Sequence, residues 1–122
     1  MYEVTVDTVI SASHHLRGYQ GKCERVHGHN WKIEATAAAA DLDPTGLAID
    51  FGLLRKRLVA AAADLDHADL NEVADFRECN PSSENLARVI YRRLQHSLAG
   101  ERARVVRVRV WETEGSVATY HE

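Results

Sequence analysis

The stretch Cys23-Glu24-Arg25-Val26-His27-Gly28-His29-Asn30-Trp31 sets a thiol four residues ahead of a His-x-His pair. On an extended strand alternate side chains share a face, so His27 and His29 project together with Gly28 between them. Two imidazoles then converge on one point, and His14 or His15 upstream offers a third. Three neutral imidazoles with one coordination position open form the donor set of a hydrolytic or lyase-type zinc. Taken alone, a His-x-His pair is equally two polar residues of a strand face, and a lone cysteine is a small buried apolar residue. Lys22 and Arg25 flank Cys23, and positive charge nearby favours thiolate over thiol, which marks a position for a reactive sulfur.

Two further spots carry ionisable groups in suggestive company. In Leu65-Asp66-His67-Ala68-Asp69-Leu70-Asn71 a histidine stands among acids. A carboxylate beside an imidazole fixes its tautomer and raises its basicity, as in a proton carrier. A histidine at a helix end that complements the dipole explains His67 as well, and the pattern alone favours that reading. Near the C-terminus, Val106, Val108, Val110 and Glu112 share one parity of an alternating segment. A carboxylate on the inward parity is either a sheet-edge residue reaching solvent or a functional acid.

The elements that must position these groups follow from periodicity. Tyr2, Val4, Val6 and Ile10 alternate with Glu3, Thr5 and Asp7, the pattern of a half-buried strand. His14 continues its apolar parity if no bulge intervenes, and His15 does not. The segment from Arg17 to Lys22 carries two glycines and no apolar period, a loop. Alternation resumes from His29 through Trp31, Ile33 and Ala35, so both histidines of the pair share the apolar parity. Imidazoles aimed inward need partners, and a metal is one such partner.

Asp43-Pro44-Thr45-Gly46 predicts a tight turn and Asp50 a helix N-cap, with Phe51, Leu54, Leu58, Ala61 and Leu65 as the buried stripe. Arg55-Lys56-Arg57 reads as a solvated face. Asn80-Pro81-Ser82-Ser83-Glu84 opens a second helix with Pro81 in its first turn, its stripe running Leu86, Ile90, Leu94 and Leu98 until Gly100 stops it. A strand through Val110, a turn at Glu114-Gly115 and a short strand from Ser116 to Tyr120 complete the order ββααββ. This is an α+β chain, with a four-stranded antiparallel sheet and both helices on one face. The other face needs a cover, which further subunits would supply.

At 122 residues the chain reads as one domain, residues 1–122. Fifteen basic against 18 acidic residues give a formal charge of −3, which argues against a nucleic-acid binder and for a small-molecule partner. No apolar run approaches a membrane span, and no secretory leader opens the sequence, so the expectation is a soluble cytoplasmic protein. In that compartment Cys23 and Cys79 are expected as free thiols.

Taken together, the pieces resemble the 6-pyruvoyltetrahydropterin synthase and 6-carboxytetrahydropterin synthase family of the tunnelling fold. The resemblance rests on Ser11-Ala12-Ser13-His14, Cys23-x3-His27-Gly28-His29-Asn30, Gly46-x3-Asp50-Phe51, Leu65-Asp66-His67-x2-Leu70-Asn71, Asn80-Pro81-Ser82-Ser83-Glu84-Asn85 and Trp111-Glu112-Thr113, in that order. Within the group the chain looks most similar to the bacterial 6-carboxytetrahydropterin synthases of queuosine biosynthesis. The resemblance implies zinc bound by His14, His27 and His29, with Cys23 as catalytic base. It also implies Asp66 and His67 as a proton-relay pair, Glu112 as anchor of the pterin ring, and trimers that close into a barrel and stack as hexamers. The implied reaction converts 7,8-dihydroneopterin triphosphate to 6-carboxytetrahydropterin with release of triphosphate and acetaldehyde. Lys22, Arg17 or Arg25 would steer the triphosphate. The alternatives are a 6-pyruvoyltetrahydropterin synthase, which stops after triphosphate elimination, and a non-catalytic zinc- or pterin-binding module.

Overall fold

A computed structural model describes residues 1–122. The two long strands, β1 (Tyr2–His14) and β2 (His27–Ala39), pair antiparallel without interruption from Tyr2 opposite Ala39 to His14 opposite His27. Both run 13 residues, past Ile10 at one end and starting before His29 at the other, where the sequence had them shorter. With no bulge, the inward parity carries to the last residue of β1. Val6, Ile10, Ala12 and His14 are buried, and Trp31, Ile33, Ala35 and Ala37 of β2 lie with them.

Helix α1 (Phe51–Ala62) is capped by Asp50, whose carboxylate accepts from the Leu53 amide at 2.8 Å. Its buried face is Leu54, Leu58, Ala61 and Ala62. Phe51, expected on that stripe, is 59% exposed, because packing begins one turn later at Leu54. Helix α2 (Ser83–Ser97) is capped by the Ser82 hydroxyl, which accepts from the Asn85 amide. Pro81 therefore precedes the cap and does not sit in the first turn, leaving its carbonyl free of the helix. Leu86, Ala87, Ile90, Tyr91 and Leu94 face the core, and Leu98 beyond the helix joins them. Arg93 ties the two helices together, donating to the Ala61 carbonyl at 2.9 Å and pairing with Asp64 at 2.7 Å.

The sheet has five strands in the order β3-β1-β2-β4-β5, one more than expected, with β3 (Ala68–Asp69), β4 (Arg104–Thr113) and β5 (Ser116–Tyr120). The additional strand β3 pairs parallel to β1 at Ala12 and Ser13, so the sheet is mixed rather than wholly antiparallel. Two residues are too few to register as alternation, which is why sequence periodicity passed over it. Strand β4 also departs from the expected parity. Thr36 pairs with Arg107 but Ala37 with Val105, so Val106 is an extra residue, and Val105 takes the core position assigned to it. A second slip against β5 falls between Trp111 and Thr113, at Glu112.

The sheet face away from the helices is polar. Thr5 and Thr36 hydrogen-bond across it at 2.8 Å, Arg107 pairs with Glu3 at 2.8 Å, and Lys32 and Arg109 lie over the Trp111 ring. No helix is long and apolar enough to cross a membrane.

Candidate metal centre

The antiparallel register places His14 directly opposite His27, with His29 opposite Ala12 on the same face. At this end of the sheet the inward parity of β1 and β2 turns from aliphatic to imidazole, resting on Trp31, whose indole N–H donates to the Ala12 carbonyl. His14 is 1% exposed, and the Trp31 ring stands edge-on to both His14 and His29 at 4.8 and 5.1 Å between centroids. Donor atoms of His14, His27, His29 and Glu112 all lie within 4.8 Å of one another. His14 Nε2 is 3.0 Å from His27 Nε2 and 3.1 Å from Glu112 Oε1, which is 3.4 Å from His29 Nε2. Ligands bound tetrahedrally to one zinc at about 2.0–2.1 Å stand about 3.3 Å apart.

Backbone carbonyls aim two of the rings. His14 Nδ1 donates to the Pro81 carbonyl at 2.7 Å and His27 Nδ1 to the Arg25 carbonyl at 2.6 Å. A carbonyl can only accept, so each Nδ1 carries the hydrogen and each neutral ring turns a bare Nε2 lone pair inward. Two lone pairs facing at 3.0 Å repel, and a cation between them removes the conflict. Burial, the largest cause at both, holds His14 and His29 below the usual imidazole pKa, which keeps them neutral as ligation requires. The residues present therefore fit a zinc ion by number, chemistry, tautomer and spacing.

His15, the alternative third donor, is excluded by its place. It lies beyond the end of β1, its backbone amide donates to Asn71 Oδ1, and its carbonyl accepts from Asn71 Nδ2. Asn80 grips Arg17 in the same two-point way, accepting from the Arg17 amide and donating to its carbonyl. The Arg17 guanidinium donates to the carbonyls of Phe76 and Cys79, so this cation is committed to the fold and not to a substrate phosphate. These contacts anchor the start of the loop bearing Cys23. The other end is tied by the Leu16 amide, which donates to the Cys23 carbonyl at 2.8 Å.

Cys23 is half-buried in a single 3-10 turn, Lys22–Glu24, three residues before β2 begins. It is not one of the four clustered donors, and neither Lys22 nor Arg25 forms an ion pair that would cancel its charge. Asp66 and His67 stand outside the cluster too, at the edge of the sheet. Asp66 Oδ1 accepts from the Ser11 amide at 2.9 Å and lies 3.0 Å from His67 Nδ1. The Ser11 bond is the largest cause of a lowered Asp66 pKa. His67 adopts φ 56, a left-handed conformation that costs a residue with a Cβ, and its amide donates to the Ser11 carbonyl. With Asp66 on Nδ1, the ring presents Nε2 outward from a side chain 82% exposed. His67 and His29 both line an open depression together with Ser11, Ser13, Gly28 and Asn30.

The 6-pyruvoyl tetrahydropterin synthase family model matches residues 3–122. The chain belongs to that family. A relative from Bacillus subtilis (strain 168), named 6-carboxy-5,6,7,8-tetrahydropterin synthase, is 33% identical over 126 residues, covering 98% of this chain and 84% of its own. Another, from Pyrococcus furiosus, is named dihydroneopterin monophosphate aldolase and is 32% identical over 73% of this chain and 72% of its own. Among solved structures, the 6-pyruvoyl tetrahydropterin synthase of Caenorhabditis elegans superposes with a TM-score of 0.81 at 26% identity, covering 100% of this chain and 97% of its own. Membership in the family confirms the resemblance read from the motifs. The motifs contain Asn71, Asn80 and Pro81 but did not reveal their tasks: the Pro81 and Arg25 carbonyls orient His14 and His27, while Asn71, Asn80 and Arg17 hold the start of the Cys23 loop.

Proposed function

We propose that the protein converts 7,8-dihydroneopterin triphosphate to 6-carboxytetrahydropterin with loss of triphosphate and acetaldehyde, using zinc held by His14, His27 and His29. The observation that carries this reading is the cluster of Nε2 atoms at the end of β1 and β2, two with their tautomers fixed by carbonyls, in a chain 33% identical to a 6-carboxytetrahydropterin synthase. Bound there, zinc supplies Lewis acidity to the side-chain hydroxyls of the substrate and makes the neighbouring protons easier to remove.

The chain's own residues do the rest. Cys23, the base that the family resemblance implies, takes a proton from the substrate side chain. His67, its Nδ1 held by Asp66, exchanges a proton through Nε2. Glu112 accepts two N–H donors from the amino-pyrimidinone edge of the ring, a two-point contact that sets its orientation. Lys22 and Arg25 remain to draw in the triphosphate. The polar sheet face is covered by other copies of the chain in a trimer or hexamer whose active sites lie between subunits. The product belongs to a 7-deazapurine route such as that to queuosine, in the cytoplasm.

A second reading, triphosphate elimination to a 6-pyruvoyl product, is favoured by the C. elegans neighbour. Incubating the purified protein with dihydroneopterin triphosphate and assaying acetaldehyde separates the two. Stoichiometric acetaldehyde is expected, and triphosphate release without it would establish the second reading instead.

A further inference from the structure

We propose that Glu112 serves metal and substrate in turn: in the resting protein its carboxylate closes the metal as a fourth ligand, and it leaves for the ring edge when a pterin arrives. The inference rests on the metal-dependent reading above and goes beyond the anchoring role given to Glu112 there. Its starting point is a contact that anchoring does not explain. Glu112 Oε1 is 3.1 Å from His14 Nε2 and 3.4 Å from His29 Nε2. Because His14 Nδ1 donates to the Pro81 carbonyl, the neutral ring turns only a lone pair toward that oxygen. His27 Nε2 is bare for the same reason and stands 3.0 Å from His14 Nε2. Two imidazole lone pairs and a carboxylate oxygen thus crowd one point. A bridging proton would reconcile a single pair, whereas a shared cation reconciles every member of the group.

The position of Glu112 suits a ligand that must let go. It sits where the β4–β5 pairing slips between Trp111 and Thr113, and its side chain is 30% exposed against 1% for His14. Three imidazoles are fixed by a regular ladder, and the fourth donor hangs from an irregularity open to solvent. With His14, His27 and His29 still able to hold the cation, the carboxylate would be free to accept the ring N–H donors, and the position it leaves would be open to an oxygen of the incoming molecule. No bond to carbon or hydrogen is made or broken.

The test uses the whole protein and the metal alone. Metal-free wild type, Glu112→Gln and Glu112→Asp are titrated with cobalt(II), read by visible absorption, and with zinc against a chelator; azide then probes for an accessible coordination position. Loss of the carboxylate is expected to weaken zinc binding about 10-fold or more, to change the cobalt bands and to let azide bind at lower concentration. Glu112→Asp, which keeps the charge but shortens the reach, is expected to show the same changes in smaller measure and serves if Glu112→Gln does not fold. Neopterin added to the wild-type cobalt protein is expected to shift its spectrum toward that of Glu112→Gln. Variants with wild-type spectra, affinity and azide response would overturn the inference and leave Glu112 an anchor only. A wild-type chain that binds neither metal would overturn the metal-dependent reading itself.

Discussion

Two carbonyls, those of Pro81 and Arg25, determine what His14 and His27 can do, because each takes the Nδ1 hydrogen and leaves Nε2 as the only inward atom. Burial then keeps His14 and His29 neutral, and this has a sign that can be measured in the metal-free protein. Their folded pKa values lie below that of an unfolded imidazole, about 6.5, so on acidification the unfolded chain takes up protons first. Stability is therefore full above pH 6.5 and falls as pH drops through the window between 6.5 and the folded values. Urea midpoints at pH 7.5, 6.5 and 5.5 are expected to decrease in that order, and a flat series would contradict buried neutral histidines. At Cys23 the expectation is kinetic. Cys23→Ala should lower turnover at least 100-fold, the scale of a lost general base, while the metal content stays at the wild-type level. Turnover within a few-fold of wild type would remove the thiol from the mechanism.

At the scale of elements, the site is held between two kinds of structure. The β1–β2 ladder sets three histidines in register, and that much was legible because the apolar parity of Val4, Val6 and Ile10 extends to His14 and that of Trp31, Ile33 and Ala35 extends back to His29, and the pairing keeps it without a bulge. Alternation failed in β4 because a bulge inserts Val106, a local choice of backbone that leaves no mark on the order of apolar residues. The clamp by Asn71, Asn80 and Arg17 was not legible either: Asn71 and Asn80 lie in the quoted motifs, but their partners are the backbones of His15 and Arg17, 56 and 63 residues away in the chain. Asn80→Ala removes both an acceptor and a donor from the Arg17 backbone. It is expected to cost about 1–3 kcal/mol in urea denaturation and to lower turnover by releasing the loop that carries Cys23. Unchanged stability and turnover would show that the loop is fixed without it. Asp66 and His67 were ambiguous in the sequence for a related reason. Their turn is held against Ser11 by two hydrogen bonds and continues into the two-residue strand β3, a long-range pairing that local pattern does not encode.

At the scale of the molecule, both helices cover one sheet face, and the other presents Glu3, Lys32, Glu34, Arg107, Arg109 and Trp111. With the donors at one end of the sheet and His67 at its edge, the groups assigned to one reaction are spread over a surface that other copies of the chain would close. Light scattering is expected to give a mass of three or six chains of 13.6 kDa, and a monomer at working concentration would contradict active sites between subunits. The proposed chemistry rests on the imidazole cluster, and its most direct test is the metal content of purified wild type beside His27→Ala by elemental mass spectrometry. Near one zinc per wild-type chain, and almost none in the variant while it remains folded, is the predicted result. Full zinc in His27→Ala, or none in the wild type grown with zinc, would contradict a centre built from His14, His27 and His29.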